Sequence, residues 1–414
     1  MIRIQSYHLH LPHFRFDGGK NMRLLYGIRI IRDLVNKSAL FFIPIFLYVF
    51  GQNASFLDGF GLTSIQRGLV TLAIYLFAQG FFCMVFGIPA ANITAKIGHQ
   101  RSIILSHFLR LLAFSALYHA KTYEPLFFVG MVFEGLQTPL FWNSYHTLFS
   151  QSALRRNVGQ DLGLLQFLLQ IAAVIAPALG GLLALLFGIE SLFLVGLLGT
   201  LVAAIIALSM DLEEIHDSVN LTELRRWLQD KEYRSLTVAF IGRYMNDVAL
   251  FTWPLYVFVL LGSVERVGYL YTTSLFMAMT LSFFVGSYID GHRGSKRPFM
   301  VSGGFLSILW LLRSQFLTVW SIALMDFFEK LAGNFHWLYY ESVILRRGKG
   351  SQALSYFAYR ETTVGAAAAV FWLLFGIFFA TIGQGWNGMF IFASVGVLLS
   401  LFAREREGNH GQIK

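Results

Sequence analysis

Residues 131–145 read Met131-Val-Phe133-Glu134-Gly-Leu136-Gln137-Thr138-Pro-Leu-Phe141-Trp142-Asn-Ser-Tyr145. The same order returns 195 positions later as Phe328-Glu329-Lys330-Leu331, then Trp337 and Tyr340. Each copy lies in an apolar segment long enough to cross a bilayer, with a carboxyl about ten residues into it. A second match supports duplication: Ala39-Leu40-Phe41-x-x-Pro44 recurs as Ala249-Leu250-Phe251-x-x-Pro254, at an offset of 210. The offsets differ because the connection after the first apolar segment is longer. A chain of two parallel halves, with an ionisable group at matching depth in each, has the plan of a secondary transporter.

Composition places the chain in lipid. It is 56% hydrophobic and 13% charged, with mean hydropathy +0.59; soluble chains carry about 25% charged residues. The 42 Phe suit a lipid-facing surface. Cys83 is the single cysteine, so no intrachain disulfide can form. Residues 1–22 are polar and basic and contain no apolar stretch that reads as a cleavable signal.

Apolar segments of spanning length fall at 27–51, 68–92, 101–120, 125–148, 160–187, 191–210, 236–261, 268–289, 298–315, 317–345, 357–382 and 386–403. The expected fold is therefore an all-α polytopic membrane protein of twelve transmembrane helices in two pseudo-symmetric six-helix bundles. The expected divisions are a cytoplasmic segment (1–22), a first bundle (23–210), a cytoplasmic linker (211–234), a second bundle (235–403) and a cytoplasmic tail (404–414). With the N-terminus inside, twenty-one Lys and Arg fall in inner connections. The outer ones hold Arg67, Lys121, Arg266 and Arg313. This asymmetry puts both termini in the cytoplasm. It also accounts for the net charge of +9 without nucleic acid. In the linker, Leu221, Leu224 and Leu228 share a helical face flanked by Arg225 and Arg226, which reads as a helix on the inner membrane surface or as a solvated connection.

Over nearly the whole chain this layout resembles the major facilitator superfamily. That family carries a G-x-x-x-D-R/K-x-G-R-R/K signature after its second span, repeated after its eighth. The second copy here is Gly286-Ser-Tyr-Ile-Asp290-Gly-His-Arg293-Gly294-Ser-Lys296-Arg297. The first, Ala91-Asn-Ile-Thr-Ala95-Lys96-Ile-Gly98-His99-Gln100-Arg101, has Ala95 where the acid belongs. Ala176-Pro177-x-x-Gly180-Gly181 in the fifth span resembles the G-P-x-x-G-G motif of the family's proton antiporters and leans the reading towards export. Small residues beside a proline also pack helices closely. On this resemblance Gly286, Asp290, Arg293, Pro177, Gly180 and Gly181 are gating candidates, and spans one, four, seven and ten line a central cavity.

Each of those four spans has an ionisable group near mid-depth: Lys37, Glu134, Asp247 and Glu329. A charge at the bilayer centre costs about 2.5 kcal/mol or more unless it faces water or a partner. Asp33, Asn36 and Lys37 share a helical face, as do Arg243, Asn246 and Asp247. At the 210 offset the charge signs are swapped, so Lys37 with Asp247 and Asp33 with Arg243 are candidate pairs between the halves. Glu134, Gln137, Thr138, Phe141 and Tyr145 form a stripe in span four, answered by Glu329, His336 and Tyr340 in span ten. Arg110 in span three is a partner for Glu134 or a contact for an anionic cargo. Glu329 is the expected proton carrier, although Lys330 adjoins it. Trp142 and Trp337, two turns below the glutamates, read as an inner gate or as anchors at the lipid interface.

The expected activity is secondary active transport of a small organic solute across the cytoplasmic (plasma or inner) membrane by alternating access, coupled to protons and leaning towards export. Alternatives on the same composition are a lipid or lysolipid flippase and an intramembrane enzyme, for which His146 and Glu341 near inner ends are the hint. A sensor that transports nothing is a third alternative, less expected because no appended soluble domain is read in the sequence. The expected partners are a small-molecule substrate, protons and the lipid bilayer, not nucleic acid, with the chain acting as a monomer. No nucleophile motif, P-loop or dinucleotide fingerprint is present, so no cofactor is expected. His8, His10 and His13 read as surface histidines, so no metal is expected either.

Overall fold

Proline breaks the first apolar segment in two. In the computed structural model α1 (Lys20–Ser38) and α2 (Ile43–Asn53) are joined by a single 3-10 turn at Leu40–Phe42. Pro44 stands in the first turn of α2, where its missing N–H leaves no helical bond unmade. The structure describes residues 19–152, 158–211, 219–291, 296–348, 350 and 352–403. The remaining helices are α3 (Ser64–Ile97), α4 (His99–His119), α5 (Pro125–Ser152), α6 (Val158–Phe187), α7 (Ser191–Leu208), α8 (Leu221–Gln229), α9 (Lys231–Leu261), α10 (Val264–Gly291), α11 (Arg297–Leu312), α12 (Val319–Arg347), α13 (Ala353–Thr381) and α14 (Trp386–Ser400). Counting α1 and α2 as one span and setting α8 aside leaves twelve helical segments among the described residues. Seven of them are long and apolar enough to cross a bilayer by length and hydropathy alone. α12 is not among those seven, since Asp326, Glu329 and Lys330 interrupt its apolar run.

The duplication legible in sequence governs the packing. In the first half α1 packs on α7 and α6, α4 on α5 and α7, and α3 on α5. In the second half α9 packs on α14 and α13, α11 on α12 and α14, and α10 on α12. Exchanging the halves maps each set onto the other. The contacts between halves obey the same exchange: α3 against α13 is matched by α10 against α6, and α5 against α13 by α12 against α6. Small residues let these seams close. Gly80 faces Ala368, Gly87 faces Thr362, and Gly365 faces the backbone of Cys83 and Met84. On the other seam Gly268 meets the Pro177 carbonyl and Gly181 meets the backbone of Val264 and Glu265.

Several bonds hold the end of α7 at the end of the molecule where the linker lies, the linker end. Gln100 donates to the carbonyls of Ala207, Leu208 and Met210 at the end of α7, where the helical ladder runs out. Lys20 pairs with Asp211 at 2.6 Å. Gly98, at φ +87, lets the chain reverse between α3 and α4 in the left-handed region that favours glycine. The linker forms helix α8, with the Leu221 side chain outside the described residues. Leu224 and Trp227 turn inward, with Trp227 stacked on Tyr233 at 4.8 Å and edge-on to Tyr359 at 5.4 Å, while Leu228 is exposed. An indole buries more area than a leucine, so the helix rolls to dock Trp227.

Two apolar clusters close the molecule, one at each end, and each draws on both halves. The linker-end cluster includes Phe141, Tyr145, Phe240, Tyr340 and Phe357. The cluster at the opposite end includes Phe42, Phe46, Trp253, Trp310 and Trp372.

Candidate functional site

Asp247 lies in the middle of α9, where a packed side chain would be fully enclosed, yet 39% of its side-chain surface is accessible. Arg243, one turn before it, keeps 25%. Lys37 on α1 is likewise half-buried. These groups keep accessible surface on α1 and α9, two helices that contribute to both apolar clusters.

On the first-half side, α1 carries a basic stripe that extends one turn further than the sequence reading had it. Arg29 and Arg32 stand four and one residues before Asp33 and share its face. They were missed because they fall inside an apolar span and so enter no loop count; the i, i+3, i+4, i+7 spacing from Arg29 was the available signal. Arg32 Nη2 donates to Gln137 Oε1 at 2.9 Å, and Gln137 Nε2 donates to Glu134 Oε1 at 3.0 Å. Arg110 Nη2 donates to Asn36 Oδ1 at 2.7 Å rather than to Glu134, so the partner expected for it is not in contact. The Arg32 guanidinium lies 3.8 Å over the Phe141 ring, and that of Arg29 4.7 Å over Trp142. Tyr145 is buried beneath Arg29. Glu134 Oε2, Arg32 Nη1 and Arg110 Nε are buried without a hydrogen-bond partner.

On the second-half side, Arg243 pairs with Asp247 on its own helix at 3.0 Å and stacks 3.9 Å over Trp337. Among the described residues no ion pair joins Lys37 to Asp247 or Asp33 to Arg243 in this conformation. Arg243 reaches Asp247 more readily because residues four apart are neighbours on one helix. Asn246 accepts from Trp310 Nε1 at 2.9 Å, inside its own half.

Glu329 sits in a closed ionic network. Arg313 bonds Asp326 at 2.9 Å and approaches Glu329 at 3.7 Å, and Lys330 bonds Glu329 at 2.5 Å. Trp253 Nε1 donates to Asp326 Oδ2 at 3.1 Å, and the Arg313 guanidinium is sandwiched between Trp253 and Trp310 at 3.9 and 4.1 Å. Arg313 was expected in an outer connection. Its side chain is instead 0% exposed, because Asp326 and two indoles supply what water would have given it.

The other expected site residues are dispersed. His336 is fully buried and knits α12 to its neighbours, its ring nitrogens at 2.7 Å from Ser400 Oγ and 3.2 Å from the Phe299 carbonyl. Tyr340 donates to the Ala239 carbonyl at 3.4 Å. Pro177, Gly180 and Gly181 lie at the α6 seams: Gly180 against the Ser38 carbonyl of α1, the other two against α10. Pro177 interrupts the helical ladder there, and the next N–H, of Ala178, donates across the seam to Thr272 Oγ1 at 3.0 Å. Gly286 and Asp290 fall on α10 with side chains outside the described residues. Arg293 and the His8, His10, His13 triplet lie outside them altogether. Among the described residues no group of three or more metal-ligating side chains is assembled.

At the linker end, Arg360 of α13 donates to His146 Nε2 of α5 at 2.8 Å and approaches Glu341 of α12 at 3.4 Å. His146 is stacked between Trp142 and Phe357 at 5.0 and 5.2 Å. Arg360 had no signature in sequence, since its partners come from two other helices.

Residues 30–238 match the family model of the Major Facilitator Superfamily. No curated protein matches the chain in sequence. Among solved structures, the human organic anion transporter MFSD10 superposes with a TM-score of 0.69 at 12% identity, covering 93% of this chain and 100% of that one. A D-xylose-proton symporter gives 0.66 at 13% identity, over 92% and 95%. The E. coli fucose:proton symporter FucP gives 0.62 at 14% identity, over 92% and 97%.

Proposed function

The chain belongs to the Major Facilitator Superfamily, and from that premise we propose that it is a secondary active transporter, not an enzyme, which moves a small organic solute across the cytoplasmic (plasma or inner) membrane. The observation that carries the reading is a set of charged side chains that keep accessible surface inside the helical bundle, and we take the space around them as the transport chamber. Partly accessible Arg243 and Asp247 at the middle of α9, and Lys37 in the last turn of α1, lie between two apolar clusters, each shared by both halves. A solute held there is reached from one side when one cluster parts and from the other when its counterpart parts. Rocking of the two bundles about the α3–α13 and α6–α10 seams exchanges the two openings.

The excess of Lys and Arg at the linker end supports a cytoplasmic placement for that end and for both termini. Residues 23–210 and 235–403 are then the moving bundles, 211–234 the cytoplasmic linker, and 1–22 and 404–414 the cytoplasmic ends. The protein acts as a monomer, since its chamber is built within one chain.

Proton coupling is supported by Glu134. Its carboxyl is buried, with one oxygen held by Gln137 and the other without a partner. Glu329 is engaged by Lys330 and Arg313 and so is the poorer carrier. The two sugar symporters among the structural neighbours are named for proton coupling. The lean towards export rests on Ala176-Pro177-x-x-Gly180-Gly181 at the α6 seams. Trp142 and Trp337 act in the inner gate.

Reconstitution into proteoliposomes tests the reading. Solute flux driven by an imposed pH gradient, and abolished by a protonophore, is the expected result. A protein that moves no member of a broad metabolite panel under any gradient contradicts it.

A further inference from the structure

The two halves treat their buried cations differently. In the second half Arg243, Arg313, Lys330 and Arg360 each make an ion pair with a carboxylate. In the first half Arg29, Arg32, Lys37 and Arg110 make none among the described residues. Those guanidiniums are held by groups that orient them without cancelling their charge. Gln137 and Asn36 offer neutral amide oxygens, and Phe141, Trp142 and Phe114 offer ring faces. Arg32 is 5% exposed and Arg110 2%, yet each keeps an N–H without a partner.

Unpaired buried charge is costly, and the usual remedy is a carboxylate within reach. Here Glu134 and Asp33 are the available carboxylates, and neither comes within the 4.0 Å of an ion pair. The region therefore carries four cations against two acids. The second half has no counterpart to the extra pair: at the 210 offset, Ala239 and Gly242 stand where α1 has Arg29 and Arg32.

We propose that this column of basic side chains along α1, completed by Arg110, binds the cargo through an oxyanion, so that the transported solute is a small organic anion with an apolar or aromatic body. The planar guanidiniums match a carboxylate or a phosphate, and their free N–H groups supply donors for it. Trp142, Tyr145 and Trp337 supply the apolar wall. The assignment rests on reading the chamber as a transport site and narrows its substrate class.

A matched probe set on the purified full chain tests it. Benzoate and phenyl phosphate are the anions, benzyl alcohol the neutral isostere and benzyltrimethylammonium the cationic one. Binding is read as a rise in thermal midpoint. The expected result is stabilisation by one or both anions, at concentrations up to about 10 mM, with no effect of the other two. The stronger anion tells a carboxylate site from a phosphate site. Lys37→Gln and Arg110→Gln should each weaken the anion about tenfold, the loss of one charge-assisted bond. Glu134→Gln, which removes one of the two carboxylates of this region, should strengthen it by a similar factor. That gain cannot come from misfolding. Equal stabilisation by benzyl alcohol, preference for the cation, or no response to either anion overturns the proposal. Flux measurements separate it from the broader reading. Transport of a neutral or cationic solute leaves the transporter standing without the anion site. Anion binding with no flux under any gradient leaves the anion site standing without the transporter.

Discussion

Arg360 Nη1 and His146 Nε2 lie 2.8 Å apart, and that hydrogen bond ties α13 of the second half to α5 of the first. Arginine can only donate, so His146 accepts through an unprotonated Nε2. The bond lies at the linker end, next to the Trp142 and Phe357 rings that stack on the same imidazole. In the proposed transport cycle this bond would latch one gate, and Glu341 approaches the same arginine at 3.4 Å.

Breaking the latch should open that end. A hydrogen bond to a charged group is worth about 1.5–3 kcal/mol, so its loss shifts an open-to-closed ratio about tenfold or more. His146→Phe keeps the ring stack and removes the acceptor. A cysteine placed on the chamber side of the latch should then label faster from the linker side in proteoliposomes. Unchanged labelling would show that the apolar cluster alone keeps this end shut.

The two repeated glutamates should behave differently. Glu329→Gln leaves Arg313 and Lys330 with Asp326 as their remaining carboxylate in the network, and one-sided loss in a buried network costs about 3–5 kcal/mol. The expected result is a lowered thermal midpoint. Glu134→Gln removes a carboxylate that makes no ion pair. That variant should keep its fold, exchange solute at equilibrium and lose its response to a pH gradient. Reversed phenotypes would return the proton to Glu329.

Each repeated tryptophan lies under an arginine, Trp142 under Arg29 and Trp337 under Arg243. Anchors at a lipid interface would not be half-buried against guanidiniums inside the protein. Cysteine substituted at 142 or 337 should label in a manner that changes with substrate and conformational state. Labelling indifferent to both restores the anchor reading.

At the opposite end, Lys121 pairs with Glu190 at 2.9 Å. Burial pushes the Glu190 carboxyl up, but the hydrogen bond and charge of Lys121 outweigh it and hold the group below its usual 4.5. A depressed carboxylate stabilises the fold above its unfolded value, and that contribution is lost as pH falls through the lowered one. Lys121 is 72% exposed, so the effect is small, below about 1 kcal/mol. Lys121→Ala should lower the thermal midpoint slightly at neutral pH and not at all in strong acid. A difference that persists in acid would assign the effect to packing.

The amino-acid sequence by itself determined the membrane class, the spans and the duplication. Hydrophobic length and repeated spacing are local properties, and a bilayer leaves a helix few alternatives. It also marked Lys37, Glu134, Asp247 and Glu329, because a charge inside an apolar run is visible without a fold. Tertiary structure alone decided the partners. Lys37 and Asp247 sit at equivalent positions with opposite signs, yet Asp247 takes Arg243, one turn away on its own helix. Arg110 takes Asn36 rather than Glu134. Arg313, assigned to a connection by its place in the chain, is enclosed because Asp326, Trp253 and Trp310 converge on it from three helices. The imbalance between the unpaired Arg29, Arg32, Lys37 and Arg110 of the first half and the paired Arg243, Arg313, Lys330 and Arg360 of the second is likewise absent from the linear order. Periodicity fixes which face a side chain occupies. What stands opposite depends on helix packing, and for a buried charge that neighbour decides whether it is neutralised or kept for a ligand.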